Sequence, residues 1–224
     1  MKLDLPYRNR SEAGRFLAEA LSHYKTKPDV MVLGLTRGGI PVAAEVALAL
    51  GVPLDVIVVR KLALPSEPEL AIGAIAGDGI QVLDQEFIRV LGLTDAEIVE
   101  VAASQRNELN RQEALYHGGR PPLELKERTA VLVDDGLATG STMLAAVAFA
   151  RKRAAKRVVI AVPIGSVAAL KKLGGKADEC VCLAAPDRFY AVGEWYWNFL
   201  PVSDDEVVKF LNDSAKLAMT VSAA

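Results

Sequence analysis

Short apolar runs recur along this chain, each separated from the next by a stretch of helical periodicity, and that alternation limits the available folds more than any other feature. β-Branched and other apolar residues fill 30–35, 54–59, 130–133, 158–162 and 179–183. Each run is as long as a strand, and none alternates with polar residues. That is the signature of strands covered on both faces. Between them, 41–50, 142–150 and 166–173 read as helices. Strands alternating with helices give an α/β fold with a mostly parallel central sheet flanked by helices. In such sheets ligands bind beyond the carboxyl ends of the strands.

Local signals sharpen the boundaries. Asn9 caps a first helix, Glu12 completes a capping-box pattern, and Ala13, Phe16, Leu17, Ala20, Leu21 and Tyr24 form its apolar stripe. Gly51 closes the helix over 41–50. Residues 60–69 carry two prolines and read as a loop. Runs at 71–75 and 80–83 flank Gly77-Asp78-Gly79, a hairpin signal. Thr94 and Glu97 open a long helix whose stripe (Ile98, Ala102, Leu109) is thin, so much of it faces solvent or a partner subunit. The expected organisation is a core over 1–185 with a loop, hairpin and long-helix insertion at 60–122. A C-terminal part over 186–224 holds an aromatic cluster and an amphipathic helix at 204–211.

Composition excludes several classes. Hydrophobic residues make up 51% of the chain and charged residues 24%, enough apolar surface for a sizeable core. A net charge of −2 lacks the basic surplus of a nucleic-acid binder. Cys180 and Cys182 stand two apart on a strand-like run, a spacing that cannot easily bridge, and His23 and His117 are too few for a four-ligand zinc site. The first ten residues contain no apolar signal core, and no apolar stretch reaches the length of a membrane span. A soluble, cytoplasmic protein is expected, with no membrane partner.

Most of the chemistry lies in 131–143, Val-Leu-Val-Asp-Asp-Gly-Leu-Ala-Thr-Gly-Ser-Thr-Met. A buried strand delivers Asp134 and Asp135 to its end. A turn with Gly136 and Gly140 follows, then Thr139, Ser141 and Thr142 at the start of a helix. Amides at a helix start, freed by glycine and helped by hydroxyls, cradle phosphate. Two adjacent carboxylates can accept hydrogen bonds from vicinal ribose hydroxyls and help to hold a hydrated magnesium ion. No lysine follows the second glycine, which excludes a nucleoside-triphosphate P-loop, and no G-x-G-x-x-G opens a helix after the first strand, which disfavours a Rossmann dinucleotide site.

This run resembles the phosphoribosyl pyrophosphate signature of type I phosphoribosyltransferases, and the overall layout resembles a little-characterised bacterial branch of that family. The resemblance implies a small hood and a flexible loop on the α/β core, phosphoribosyl pyrophosphate as donor, Mg2+ as cofactor, a nitrogenous acceptor and a homodimer. It would place Asp134 and Asp135 on the ribose hydroxyls, and Ala138, Thr139, Gly140, Ser141 and Thr142 around the 5-phosphate. Thr36-Arg37-Gly38-Gly39 resembles the family's pyrophosphate loop, where a strained or cis peptide is usual. Arg60-Lys61 resembles the pair that opens the mobile catalytic loop of orotate and adenine enzymes. Hypoxanthine-guanine enzymes carry aspartate where this chain has Ala138, which puts that activity in doubt.

Two further assignments come from residue chemistry. Glu67 or Glu69 could exchange a proton with an incoming base. Phe189, Trp195 or Tyr196 could stack on a planar acceptor, or equally glue the tail to the core. The expected reaction is transfer of a 5-phosphoribosyl group to nitrogen with release of pyrophosphate. The alternatives are a non-enzymatic sensor of phosphoribosyl pyrophosphate or nucleotides, and a hydrolase with water as acceptor.

Overall fold

In the computed structural model the first apolar run, β1 (Val30–Leu35), lies in a five-stranded sheet with β2 (Leu54–Ile57), β6 (Thr129–Val133), β7 (Arg157–Ile164) and β8 (Glu179–Ala184). Their order is β2-β1-β6-β7-β8, and every neighbouring pair is parallel. The structure describes residues 5–64, 67–118 and 123–222, without the side chains of 67–70 and 217–222. Among the described residues no helix is long and apolar enough to cross a membrane.

Both faces of the sheet are buried, as the unbroken apolar runs require. Val30, Val32, Val131, Val133, Val159 and Ala161 share one cluster with residues of α1 (Arg10–Ala20), α2 (Gly39–Leu50) and α7 (Asp204–Ser222). Their alternates Leu33, Leu35, Ala130, Leu132, Val158 and Ile160 join α5 (Ser141–Lys152) and α6 (Val167–Leu173) on the other face. This period-two partition is the strand pleat expressed as two cores. Truncating a fully buried member such as Leu33 to alanine should cost about 2–5 kcal/mol.

Order within the sheet also positions the site. From β1 the chain crosses to β2 on one side, whereas from β6 it proceeds to β7 and β8 on the other. The turns leaving β1 and β6 therefore diverge and open a crevice, the usual ligand position in open parallel sheets.

The segment 60–69 differs from its expected loop. The chain leaves the parallel sheet after Ile57 and re-enters a second, antiparallel sheet as β3 (Val59–Leu64), β4 (Glu67–Ala76) and β5 (Ile80–Leu83). The expected strand over 54–59 is thus split, because the Thr36 hydroxyl takes the Val59 N–H at 3.1 Å. Leu62 and Ile72 are fully buried, and this apolar alternation outweighs the two prolines. Pro68 is only the second residue of β4, where a missing ladder donor is tolerated. The predicted hairpin about Gly77–Gly79 is the β4–β5 connection.

A short helix, α3 (Gln85–Leu91), was not legible in the sequence; Asp84 caps it at the Phe87 N–H and Gly92 closes it. The long helix α4 (Asp95–His117) carries the expected Thr94/Glu97 capping box. Its buried face includes Val101, Gln112 and Tyr116 besides the three predicted residues. At α1, Asn9 accepts the Glu12 N–H as expected, but the Glu12 carboxylate turns to Arg8 rather than completing the box. α2 begins two residues before the predicted 41, with Pro41 in its first turn where no intrahelical donor is needed.

Candidate functional site

The pairing Gly34↔Val133 between β1 and β6 brings the residues after both strands side by side. Thr36–Arg37 is a cis peptide, as the family resemblance led one to expect. The turn then passes so close to β6 that side chains are excluded. A Cβ on Gly38 would sit 2.0 Å from Asp135 Oδ2, and one on Gly39 would sit 2.6 Å from the Val133 carbonyl oxygen. Glycine is required here for proximity, with no positive φ involved.

The two carboxylates are held differently. Asp134 Oδ1 accepts the Asp135 N–H at 2.9 Å, whereas Asp135 Oδ2 accepts Arg10 Nε at 2.8 Å. The Asp135 and Arg10 side chains are only 13% and 11% exposed. Arg10 also stacks 3.8 Å from the Phe199 ring centre and donates to the Leu200 carbonyl, while the Tyr196 hydroxyl donates to the Asp135 carbonyl at 2.6 Å. Burial pushes both carboxyls above the ordinary range, Asp134 further because Asp135 repels its charge; Arg10 and Lys61 pull the other way. A buried, acceptor-rich pair of this kind suits vicinal hydroxyls and partial positive charge.

Arg10 was missed in the sequence. It is the first residue of α1, where a cation opposes the helix dipole, and that misfit was the one available signal.

The turn after β6 is stapled to β7. Leu137 N–H donates to Ile164, Ser166 N–H donates back to Leu137, and the Ser166 hydroxyl donates to the Ala138 carbonyl at 2.7 Å. Gly136 packs against Ile164 and Val192, leaving no room for a Cβ. Gly140, at φ +76°, opens α5, and no side chain caps the helix. The first amides of α5 thus lack both an intrahelical acceptor and a capping one. Ala138, Thr139, Gly140 and Thr142 face the crevice. Ser141 does not line it; with Thr139 it borders a separate depression beside Ala71 and Phe87.

These elements enclose a cavity of about 480 Å³ that also brings in Arg37, Gly38, Arg60 and Lys61. Arg37 Nη1 is held by Asp204 Oδ1 at 3.1 Å, at the start of α7; Tyr116 and Arg111 of α4 share the same carboxylate at 2.6 Å each. Burial tends to raise the Asp204 pKa, but these three donors win and hold it down to about 2. Arg60 donates twice to Gln105 Oε1, and Gln112 borders the cavity from the same helix. The sequence reading missed Gln105, Gln112, Tyr116 and Asp204, whose separations in the chain give no local motif.

Other predicted residues are not brought together. Phe189 and Trp195 stack on each other at 6.3 Å and pack with Tyr7, Ile164 and Tyr196, outside the cavity lining. Tyr7 exchanges backbone bonds with Trp195 and Trp197, so these rings fasten the tail to the chain start. The tail reaches the cavity through Val192 instead. The side chains of Glu67 and Glu69 lie outside the described residues.

The resemblance implies a magnesium ion, and the donor set bears on it. Among the described residues no group of three or more His, Cys, Asp or Glu gathers to enclose one. Asp134, beside an open cavity, fits an ion completed by water and substrate oxygens, which is the habit of magnesium at phosphates.

The phosphoribosyl transferase domain model matches residues 8–200. A Mycobacterium tuberculosis H37Rv protein, "Putative phosphoribosyl transferase Rv0571c", is 50% identical over 204 residues, covering 91% of this chain and 46% of that relative. This chain therefore spans about half the length of the curated relatives it matches. The crystal structure of TT1426 from Thermus thermophilus is 41% identical, covers 92% of this chain and 98% of that one, and superposes with a TM-score of 0.76. The AQ2163 protein from Aquifex aeolicus, at 12% identity and a TM-score of 0.50 over 82% of this chain and 78% of that one, shares the fold. With its matched segment running from the helix that carries Arg10 to the aromatic tail, this chain belongs to the phosphoribosyl transferase domain family.

Proposed function

We propose that the protein transfers a 5-phosphoribosyl group from phosphoribosyl pyrophosphate to a nitrogenous acceptor, releasing pyrophosphate. The observation that carries this reading is the convergence of three complementary surfaces on one cavity. These are an uncapped helix start at 138–142, a buried carboxylate pair, and a wall bearing Arg37, Arg60 and Lys61. A phosphate, a pair of hydroxyls and a diphosphate, joined in that order, match them in charge.

On this reading the amides and hydroxyls of Thr139 and Thr142 hold the 5-phosphate, with Gly140 giving the turn its left-handed bend and Ala138 and Ser141 completing the loop. Asp134 and Asp135 accept hydrogen bonds from the ribose hydroxyls. Their negative charge also favours the positive character that the anomeric carbon acquires as its bond to the diphosphate breaks and the bond to nitrogen forms. Arg10 favours the ionised form of Asp135 against its burial and aims the carboxylate. Arg37, Arg60 and Lys61, with the Gly38-Gly39 amides, take up the charge of the leaving group. Magnesium, held at Asp134 through water and substrate, would supply further charge neutralisation when bound. Glu69 remains the sequence-based candidate for the acceptor's proton. Val192, rather than Phe189 or Trp195, is the tail residue in position to meet the acceptor.

A panel of nucleobases and small amines with phosphoribosyl pyrophosphate and magnesium, scored by pyrophosphate release, tests the proposal. Release that depends on one acceptor class supports it, and release without any acceptor identifies water as the nucleophile. If calorimetry detects no binding of phosphoribosyl pyrophosphate, the reading is wrong.

A further inference from the structure

Gln112 is 1% exposed, yet its Oε1 has no hydrogen-bond partner and its side chain borders the cavity. A buried side-chain amide without a partner costs about 1–3 kcal/mol, and few proteins keep one without a reason. A phosphate oxygen cannot satisfy an acceptor, so with a phosphate ligand the amide nitrogen must occupy this position, and its neighbours favour that orientation. Gln105, Leu109, Gln112 and Tyr116 follow the i, i+4, i+7, i+11 spacing of one helix face. Seven residues before Gln112, Gln105 holds Arg60; four residues after it, Tyr116 holds Asp204, which in turn holds Arg37. Gln112 thus lies between the anchor points of two cavity cations.

We propose that Gln112 is a binding residue for the diphosphate end of the substrate, donating from its side-chain amide to a phosphate oxygen between Arg37 and Arg60. This rests on the phosphoribosyl pyrophosphate reading and adds α4 to the substrate-contacting elements. Turning the amide about its last torsion exchanges oxygen and nitrogen without changing its shape. Against a wall of cations that receives an anion, the nitrogen end is the one to present. The contact is neutral, so it selects phosphate oxygens by geometry while the arginines supply the charge.

The test uses thermal unfolding of the ligand-free protein and calorimetry with two probes, magnesium pyrophosphate and ribose 5-phosphate, on the full chain. Gln112→Met keeps the side-chain length but removes the amide. It should weaken pyrophosphate binding at least about 10-fold, in line with one lost hydrogen bond to a charged group, and leave ribose 5-phosphate binding unchanged. It should also raise the melting temperature, because an unsatisfied polar atom is gone. Gln112→Glu should weaken pyrophosphate binding further by repulsion. Unaltered pyrophosphate affinity in Gln112→Met overturns the proposal, as does a lower melting temperature with both ligands weakened together, the mark of a merely structural glutamine. A wild-type protein that binds pyrophosphate but not ribose 5-phosphate would instead defeat the phosphoribosyl reading while leaving this assignment standing.

Discussion

The two walls of the cavity are built by opposite means. One is backbone: the turns after β1 and β6, pressed together so closely that Gly38 and Gly39 admit no Cβ. The other is side chain on side chain, with Arg60 held by Gln105 across 45 residues and Arg37 by Asp204 across 167. The first wall inherits its geometry from a buried parallel sheet and moves only if that sheet moves. The second depends on individual polar contacts at partly exposed positions, each adjustable by one substitution. On the proposed reading, rigid backbone would face the sugar phosphate, and adjustable side chains would face the part that must leave.

If the backbone wall is the donor site, its carboxylates should show the largest effect. The Asp134→Asn/Asp135→Asn double variant should lose at least about 100-fold in phosphoribosyl pyrophosphate affinity, two charge-assisted bonds at roughly 1.5–3 kcal/mol each. Normal binding by calorimetry would refute the site. Asp134→Asn alone should also change stability with a definite sign. The folded pKa of Asp134 is raised, so the folded state favours its protonated form. An unfolded carboxyl ionises near pH ~4, and above that point the wild type is penalised increasingly as pH rises toward the folded value. The melting temperature of the Asn variant should therefore match the wild type near pH ~4 and exceed it increasingly as pH rises from there toward the folded pKa. A difference that does not change with pH would contradict the buried-pair description.

Arg10 links the backbone wall to the first helix, and its loss ranks next. Arg10→Met leaves the Asp135 carboxylate buried without its partner, which should cost about 3 kcal/mol of stability. Adding Asp135→Asn should recover much of that cost, since the orphaned charge is then removed. Thermal or denaturant unfolding of the four members of this cycle checks it; strictly additive effects would mean the pair is not coupled.

On the side-chain wall, Asp204→Asn should release Arg37 and lower stability by about 1 kcal/mol at neutral pH, a value discounted for its partial exposure. The Asp204 pKa is lowered to about 2, so its stabilisation is present above the unfolded value near pH ~4 and is lost as pH falls toward the folded one. The melting-temperature gap between wild type and variant should close over that interval. In kinetics kcat/KM for the donor should fall modestly, because Asp204 orients Arg37 without touching substrate.

The same contrast explains what the sequence made visible. The sheet, its parallel order and the 131–143 turn are local patterns: apolar runs of strand length, adjacent acids, glycines at fixed offsets. Gly38 and Gly39 were visible through the resemblance of the 36–39 run, while the close approach that requires them appears only in the fold. The strands β3 and β4 were misread as a loop at 60–69 because two prolines outweighed the buried alternation of Leu62 and Ile72. Phe189 and Trp195 could be read either way, because a cluster of rings looks the same in sequence whether it stacks on a ligand or fastens a tail. Gln105 and Gln112 share a face of α4 that carries no recognisable motif, and only folding brings Arg10 to Asp135 and Asp204 to Arg37.

The smallest effect tests whether the side-chain wall acts as more than a set of independent cations. Gln105 reaches the cavity rim, but its Oε1 is already occupied by Nε and Nη2 of Arg60, at 3.1 and 2.8 Å. In Gln105→Leu the guanidinium keeps its charge and loses its orientation. Charge alone should preserve most of the attraction for a diphosphate, so pyrophosphate binding should weaken only about 2- to 3-fold, the value of a partly exposed hydrogen bond. Arg60→Lys should lose a similar amount, and combining the two should cost nothing further, because lysine cannot use the fork that Gln105 aligns. Fully additive losses by calorimetry would show that Gln105 does not act through Arg60, and the distinction drawn between an orienting wall and a rigid one would fail at that point.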